Sequence, residues 1–356
     1  MQKAKEYDWK DSNMALFGSD VEKNVKKASA ETEKAWENAG AKVGLQVWRI
    51  NNFQVEHWPK EGYGKFFDGD SYIILNTYKK PNEDALYYDL HFWIGKYSTQ
   101  DEYGTAAYKT VELDTLLDDK PVQHREVMEH ESPLFKSYFP IMTYVKGGAK
   151  SGFRHVETKV TDPKLFHFHG DKKGVEVKEI GINKQNLDPS DVYILIGTDC
   201  IYQWNGKTCN KDEKFKATQH CHELKTGKMK SETLDDGDVE PDHPFYKYFS
   251  DDQPVEGTTN WVKSETCTLH RLSDASGNLT FEKVAEGKVD QSMFDTNDVF
   301  IFDKPDVCYV WIGKGASPQE KKKWPEFSLN YLSKSGDPCK PVTAVKEGFE
   351  ENNFYN

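Results

Sequence analysis

The sequence repeats one pattern three times along its 356 residues, and this internal repetition limits the fold more than any other feature. Each copy starts with a turn residue, an aspartate and a run of apolar, β-favouring residues that predicts a buried strand. A second strand-like segment with the core Trp-x-Gly-Lys follows, and a glutamate then opens a helix-like segment. The repeated acids are Asp70 and Glu102, Asp191 and Glu213, and Asp298 and Glu320.

The spacing of these acids keeps the copies in register. Asp191 and Asp298 are 107 positions apart, and so are Glu213 and Glu320. Each unit has about 100 residues, which is an ordinary domain size. We therefore predict a chain of the α/β (α+β) class with three tandem domains, each a sheet with a long helix on one face. The expected boundaries are 1–40 for an N-terminal extension and 41–148, 149–252 and 260–356 for repeats 1, 2 and 3.

The composition narrows the classes of function. A formal net charge of −12 disfavours a nucleic-acid binder, which needs excess positive charge to displace counterions. The N-terminus lacks the apolar run of a secretion signal, and no stretch of about 18 apolar residues could span a membrane. The six cysteines all lie beyond residue 199, which indicates reduced thiols rather than a repeated disulfide framework. We expect a cytoplasmic protein that acts as a monomer.

The N-terminal extension predicts an amphipathic helix. Apolar residues from Met14 to Ala35 recur at three- and four-residue steps, Asp11 or Ser12 could cap its start, and Gly40 could end it. Its apolar stripe needs a surface, and two interpretations stay open: the helix packs on the protein's own domains, or it docks on a partner.

The recurring acids suggest three equivalent calcium sites. Strand packing does not require an acid at this place, whereas calcium takes about six to eight oxygens from carboxylates and backbone carbonyls. An explanation without metal is that the aspartate begins a turn and the glutamate favours the first helical turn through the helix dipole. The predicted ligands are Gly69, Asp70 and Glu102; Ser190, Asp191 and Glu213; and Asn297, Asp298 and Glu320.

The helix-like segment after Glu102 carries a further acid, Asp114, about three helical turns beyond it. A mildly apolar stripe runs along the same segment. It could face a groove on another protein or the sheet of its own domain. The stripe consists of Ala107, Tyr108, Val111 and Thr115.

Four strings of residues carry a resemblance to a known family: 63–72, 100–114, 121–126 and 151–156. They include Tyr63-Gly64-Lys65-Phe66-Phe67 and Pro121-Val122-Gln123-His124-Arg125-Glu126. With them the chain resembles the gelsolin family, in particular its three-repeat, severin- and fragmin-type members, over residues 40–350. The resemblance implies three gelsolin-like domains, each with a central, mostly antiparallel or mixed sheet packed against one long and one short helix.

The resemblance also implies an activity: calcium-dependent severing of actin filaments and capping of their barbed ends. In this family the long helix of the first repeat wedges into the actin cleft, and the second repeat binds the filament side. Here the wedge corresponds to the segment from Tyr103 to Leu117, with Tyr108 and Val111 as expected contacts. A second calcium, shared with actin, corresponds to Asp114 and the carbonyls of Asp119 and Pro121. The carbonyl of Ala149 would complete the first site.

The sequence departs from the family pattern in two places. An acid that closes the second calcium site corresponds to Asn260, so Asp252 or Glu256 would have to replace it. The segments that bind phosphoinositides in the family are rich in lysine and arginine, and positive charge is sparser here. The residues that could bind such lipids are Lys146, Lys150, Arg154, Lys159, Lys172 and Lys173.

Two other functions stay open. The chain could cap barbed ends or bind actin monomers without severing, because each activity needs the first repeat. A zinc-dependent enzyme is the more remote alternative. It rests on His167 and His169, which alternate on one strand face, and on the cluster of Cys209, His220, Cys221 and His222.

Overall fold

The computed structural model describes residues 30–148, 163–172, 174–224, 229–252, 266–335 and 337–350, together with positions 27, 255, 354 and 355. Most of the predicted N-terminal helix lies outside the described residues, as do Ala149, Asn260 and Glu256.

Repeat 1 contains seven strands and two helices. The strands are β1 (Gly44–Asn51), β2 (Gln54–His57), β3 (Lys65–Phe67), β4 (Ser71–Tyr78), β5 (Tyr87–Ile94), β6 (Val122–Val127) and β7 (Ile141–Val145). The long helix α1 (Gln100–Leu116) lies between β5 and β6, and the short helix α2 (Pro133–Ser137) precedes β7.

The described parts of repeats 2 and 3 contain five strands each. In repeat 2 they are β8 (Lys164–Asp171), β9 (Gly174–Ile180), β10 (Val192–Ile196), β11 (Cys200–Asn205) and β12 (Lys230–Asp235), with helix α3 (Lys211–Leu224) before β12. In repeat 3 they are β13 (Thr268–Ser273), β14 (Thr280–Glu286), β15 (Val299–Asp303), β16 (Cys308–Ile312) and β17 (Val342–Lys346), with helix α4 (Pro318–Ser335) before β17.

All three repeats share one strand order, which supports the inference from the sequence that they are copies of one unit. The order is β2-β1-β4-β5-β6, β9-β8-β10-β11-β12 and β14-β13-β15-β16-β17. Four strands are antiparallel neighbours, and the fifth runs parallel to the fourth because a helix connects them. A parallel pair needs such a crossover, and the long helix of each repeat provides it.

The apolar runs after the repeated aspartates form the buried central strands β4, β10 and β15, as predicted. In β4, Ile73 and Leu75 face α1, where they pack with Leu113. Tyr72 and Ile74 point to the opposite face. Alternate side chains of β4 therefore pack into two hydrophobic cores on opposite faces of the sheet. Fully burying one large apolar side chain stabilises the folded state by about 1.5–3 kcal/mol.

The sheets of different repeats join, which the sequence did not predict. β17 pairs antiparallel with β6, with Thr343 opposite His124, so repeats 1 and 3 share a ten-stranded sheet. β7 of repeat 1 pairs parallel with β9, so repeat 2 belongs to a seven-stranded sheet that begins with β3 and β7. Repeat 1 thus contacts both other repeats through backbone hydrogen bonds.

The described end of the N-terminal extension packs on repeat 1. The indole of Trp36 donates to Glu112 of α1 at 2.8 Å and meets Trp48 edge-on at 5.1 Å between ring centroids. The indole of Trp48 donates to the carbonyl of Ala35 at 2.9 Å. These contacts agree with packing on the protein's own domains for residues 30–40.

The six cysteines are all free thiols, as expected from the sequence. Among the described residues, none of the helices combines the length and the apolar character that crossing a bilayer requires.

Candidate functional site

The three repeated glutamates occupy one position, the first turn of the long helices α1, α3 and α4. In each repeat the backbone amide of the helix-capping residue donates to one carboxylate oxygen: Thr99 to Glu102 at 3.0 Å, Asn210 to Glu213 at 3.1 Å and Ser317 to Glu320 at 3.0 Å. The capping side chains accept from the glutamate amides in return. This reciprocal capping is the role without metal that the sequence left open, and it engages one oxygen of each glutamate.

The other glutamate oxygen differs among the repeats. Oε1 of Glu213 accepts from the amide of Gly170 at 3.1 Å, and Oε1 of Glu320 accepts from the amide of Asp274 at 2.8 Å. Oε1 of Glu102 is buried and has no hydrogen-bond partner among the described residues. A buried carboxylate oxygen without a partner is costly, and a cation is the partner that would satisfy it.

The repeated aspartates are each paired with a basic side chain, which the sequence-based prediction missed. Nη2 of Arg49 lies 2.5 Å from Oδ2 of Asp70. Arg271 contacts Asp298 through Nε at 2.8 Å and Nη2 at 2.5 Å. Arg49 and Arg271 occur in the first strand of their repeats, and this shared position was the signal that could have revealed them.

The loop after β7 closes around the aspartate of repeat 1. The amide of Gly69 donates to the carbonyl of Gly147 at 2.8 Å. A Cβ on Gly148 would lie only 2.7 Å from Oδ1 of Asp70, so the backbone approaches the carboxylate as closely as glycine allows. The predicted carbonyl ligand Ala149 is next in the chain and lies outside the described residues.

Two histidines replace the arginine in repeat 2. Nε2 of His167 lies 2.8 Å from Oδ2 of Asp191, and Nδ1 of His169 lies 2.9 Å from Oδ1 of the same carboxylate. The same nitrogen of His169 is 3.9 Å from Oε1 of Glu213, so both predicted acids face one ring. Burial acts to raise the pKa of Asp191. Hydrogen bonds from the two histidines outweigh this effect and hold the pKa below its ordinary value. Ser190 is exposed and donates to Asp188.

Repeat 3 gathers three acids. Asp274 donates its amide to Glu320, and its own carboxylate accepts from Ser317 at 2.5 Å. Burial and the negative charges of Asp274 and Asp298 raise the pKa of Glu320. Asp274 and Asp298 therefore both lie close enough to Glu320 to act on its charge, whereas the side chain of Asn297 donates to Asp295.

Each site supplies carboxylate oxygens, which are ligands that calcium takes, but the arginine or histidine that now binds each aspartate would have to move before an ion could bind. Repeat 1 fits best, since Oε1 of Glu102 is buried without a hydrogen-bond partner among the described residues, and the backbone at Gly148 approaches the carboxylate of Asp70 closely.

A fourth acidic position lies at the far end of α1, where Asp114 is buried. Its Oδ2 accepts from Gln123 at 2.8 Å, and its Oδ1 has no hydrogen-bond partner among the described residues. Lys346 of repeat 3 reaches this place: Nζ lies 3.7 Å from Oδ2 of Asp114 and donates to the carbonyl of Asp119. Burial raises the pKa of Asp114 to about 6, although the charge of Lys346 opposes the shift. Pro121 immediately precedes β6.

The outer face of α1 is exposed, while its inner face packs on the sheet. The side chains of Tyr103, Tyr108 and Val111 are 38%, 64% and 48% exposed, and Ala107 and Thr115 are half-buried. Ala106 and Leu113 are fully buried on the opposite side. The predicted stripe is thus a solvent-facing apolar surface, and a different set of residues faces the sheet.

Comparison with known proteins identifies the family. The model of the gelsolin repeat matches residues 59–136, 173–242 and 280–355. Gelsolin-like protein 1 of Lumbricus terrestris is 50% identical over 350 residues, which cover 97% of this chain and 95% of that protein. The chain belongs to the gelsolin family. Severin of Echinococcus granulosus is 41% identical over 360 residues, covering 97% of this chain and 95% of severin.

A solved complex titled "Thorarchaeota 2DGel3/rabbit actin" also matches, at 24% identity over 58% of this chain and 99% of that chain, with a TM-score of 0.25 that is too low to support an argument. Members of the gelsolin family are actin-binding structural proteins and not enzymes, which excludes the zinc-dependent enzyme. In this gelsolin-family chain, His220 and Cys221 belong to the apolar core of repeat 2 and contact Phe166 and Phe168.

The residues predicted to bind phosphoinositides remain a prediction. Lys150, Arg154, Lys159 and Lys173 lie outside the described residues. Lys146 is half-buried at the end of β7, where its amide donates to Glu179, and Lys172 is exposed in the turn after β8.

Proposed function

We propose that this protein severs actin filaments in a calcium-dependent manner and remains bound as a cap on their barbed ends. The observation that carries the proposal is the exposed apolar face of α1 beside Asp114, whose buried carboxylate keeps one oxygen without a hydrogen-bond partner among the described residues. Relatives that match nearly the whole chain include one named severin, and the name supports severing here.

In this proposal the outer face of α1 enters the cleft of an actin subunit. Tyr103, Ala107 and Val111 are four residues apart, so they form one row along the helix, and Tyr108 widens it. Burying such a row on actin would stabilise the complex by roughly 25 cal/mol for each Å² of apolar surface removed from water. No covalent bond changes, because severing replaces one interface by another and needs only binding energy.

Asp114 and the carbonyls of Asp119 and Pro121 would hold a calcium ion at the edge of this interface. The ion would supply a positive charge that both proteins can share. In this structure the ammonium group of Lys346 forms an ion pair with the same carboxylate and donates to the carbonyl of Asp119. A side chain of repeat 3 thus takes the place that the proposal assigns to a cation in the actin complex.

The contacts between repeats 1 and 3 suggest what activation must change. Arg125 of β6 and Trp324 and Leu329 of α4 line one narrow groove between repeats 1 and 3. We infer that actin could not surround α1 while repeat 3 holds this place, so repeats 1 and 3 must separate. The links to be broken are the β6–β17 pairing, the hydrogen bond between His124 and Thr343, and the Lys346 contacts.

Repeat 2 would bind the filament side and bring repeat 1 to a contact between subunits. The pairing of β7 with β9 supports this arrangement, because it couples repeat 2 to repeat 1 independently of repeat 3. Separating repeats 1 and 3 need not detach repeat 2.

Single labelled filaments observed with calcium, and with a chelator in its place, test the proposal. We expect internal breaks and non-growing barbed ends with calcium, and neither with the chelator. Capped ends without internal breaks would favour capping alone, and loss of free monomer without capped ends would favour monomer binding. Breaks at equal rates in both conditions would reject calcium dependence.

A further inference from the structure

The acidic site of repeat 2 differs from its two counterparts in the side chain that faces the aspartate. Arg49 lies opposite Tyr72 in repeat 1, and Arg271 lies opposite Phe300 in repeat 3. At the same register position of repeat 2, His167 lies opposite Tyr193. The chemical consequence is large, because a guanidinium has no free lone pair for a metal, whereas a neutral imidazole is among the commonest metal ligands in proteins.

A second histidine doubles the number of nitrogen ligands. His169 follows two positions later on β8, so both rings project from the same strand face, with their centroids 6.0 Å apart. His167, His169 and Asp191 each offer one ligand atom, and these three atoms all lie within 4.8 Å of one another. Oε1 of Glu213 lies 3.9 Å from Nδ1 of His169 and accepts from the amide of Gly170, so it can become a fourth ligand once that hydrogen bond is released.

The geometry suits a four-coordinate ion with little rearrangement. Zinc holds nitrogen and oxygen ligands at about 2.0–2.2 Å, which sets neighbouring ligands roughly 3.3 Å apart in a tetrahedron. The two histidine nitrogens now lie 2.8 and 2.9 Å from the oxygens of Asp191. To form such a site, these two distances must lengthen by about half an ångström, and the widest separation in the group, at most 4.8 Å, must shorten by up to about 1.5 Å.

The surroundings allow an ion to enter and hold one ligand in place. The His169 side chain is 69% exposed, and it borders a cavity of about 860 Å³ lined by residues of all three repeats. The ring of His167 stacks on Tyr193 with centroids 4.8 Å apart and planes 10° from parallel. Packing that fixes the ring orientation of a ligand strengthens metal binding.

A second group of this kind, His91, His124 and Glu126, is a weaker candidate. All three residues are buried, and the side chains of His91 and Glu126 have no exposed surface through which an ion could enter. His124 binds Thr343 across the contact between repeats 1 and 3. These groups are engaged in holding the fold, whereas the pair in repeat 2 is accessible.

We propose that repeat 2 contains a binding site for zinc or a similar borderline divalent cation, with His167, His169, Asp191 and Glu213 as ligands. The inference does not depend on actin severing. Because Asp191 and Glu213 are also the acids expected to bind calcium, the two ions exclude each other at this site. Repeats 1 and 3 offer arginine at the equivalent position and do not bind zinc in this way.

The experiment is a zinc titration of the full-length, chelator-treated chain by calorimetry, with cobalt(II) as a spectroscopic substitute whose visible bands report four-coordination. We expect one zinc per chain. His169→Ala removes one ligand. His167→Arg introduces the residue that repeats 1 and 3 have at this position, so it removes a ligand and keeps an ion pair for Asp191. Each should weaken zinc binding at least about tenfold. His57→Ala removes an exposed histidine outside the cluster and should leave binding unchanged.

Absence of zinc binding, or equal affinity in the wild type and in both cluster variants, would overturn the proposal. Saturating calcium should weaken zinc binding, and an unchanged zinc affinity would refute the shared use of Asp191. Severing is measured separately, on the wild-type chain with calcium and without zinc. The zinc site can therefore fail while the proposed severing function stands.

Discussion

Lys346→Met tests whether the ammonium group of repeat 3 holds the protein inactive. Methionine keeps a stem of similar length and removes the charge and the donors that reach Asp114 and the carbonyl of Asp119. If Lys346 occupies the place of the shared cation, its loss should both free the acidic site and weaken the contact between repeats 1 and 3.

The magnitude follows from the distance and the exposure. Opposite charges about 4 Å apart attract by about 4 kcal/mol at an effective dielectric constant near 20. The Lys346–Asp114 separation is 3.7 Å, but the lysine side chain is 34% exposed, so solvent screens part of this energy. Including the cost of removing both groups from water, we expect a net contribution of about 1–2 kcal/mol, which corresponds to roughly a 5–30-fold change in equilibrium.

The assay is filament severing measured over a range of free calcium concentrations. Lys346→Met should reach half-maximal severing at roughly 5–30-fold lower calcium, and small-angle scattering without calcium should report a more extended particle. Lys334→Met is the matched control, because it removes an exposed lysine of repeat 3 at the end of α4. An unchanged calcium midpoint, or equal shifts in both variants, would refute the proposed role of Lys346.

Three further predictions concern other residues. Asp114→Ala should weaken barbed-end capping at least about tenfold and affect co-sedimentation with filament sides much less; equal losses would contradict the shared-ion role. Val111→Asp should abolish capping while leaving the thermal unfolding midpoint within a few degrees of the wild type, because the side chain is 48% exposed. Burial raises the pKa of Glu131 from 4.5 to about 7, so the folded state binds its proton more tightly than the unfolded state does. The unfolding free energy should therefore fall by up to about 3 kcal/mol as the pH rises from about 4.5 to about 7. Glu131→Gln, whose amide can still bond to Trp93 and Tyr144, should reduce this dependence in denaturant titrations; an identical pH profile would argue against it.

The sequence predicted the features that arise from local patterns. The apolar run after Asp70 identified the buried strand β4, and the Glu102 region identified the start of α1, because strand burial and helix capping depend on neighbouring residues. The repetition of both signals in register then predicted three copies of one domain. The same reasoning placed Asp114 at the far end of α1, where it lies.

The features that the sequence did not predict join residues far apart in the chain. Lys346 binds the carbonyl of Asp119 across 227 positions, and His124 binds Thr343 across 219. No local propensity indicates that β17 pairs with β6 rather than remaining an edge strand. The basic partners of the aspartates could almost be predicted, because Arg49 and Arg271 occupy the same position in their repeats. Whether an aspartate pairs with a basic side chain or binds a metal, however, can be decided only from three-dimensional contacts.

The four acidic positions differ in what displacement of their present cationic partner would do. Arg49 and Arg271 come from the same repeat as the acid they bind, so their displacement rearranges one repeat. Lys346 comes from a different repeat, so an ion that takes its place at Asp114 removes a contact between repeats 1 and 3. Thermodynamic linkage is reciprocal: if the ion favours separation of repeats 1 and 3 by some factor, separation of the repeats must raise the affinity of Asp114 for the ion by that same factor. Actin bound to the exposed face of α1 would act in that direction, and ion and actin would bind cooperatively even before they touch each other.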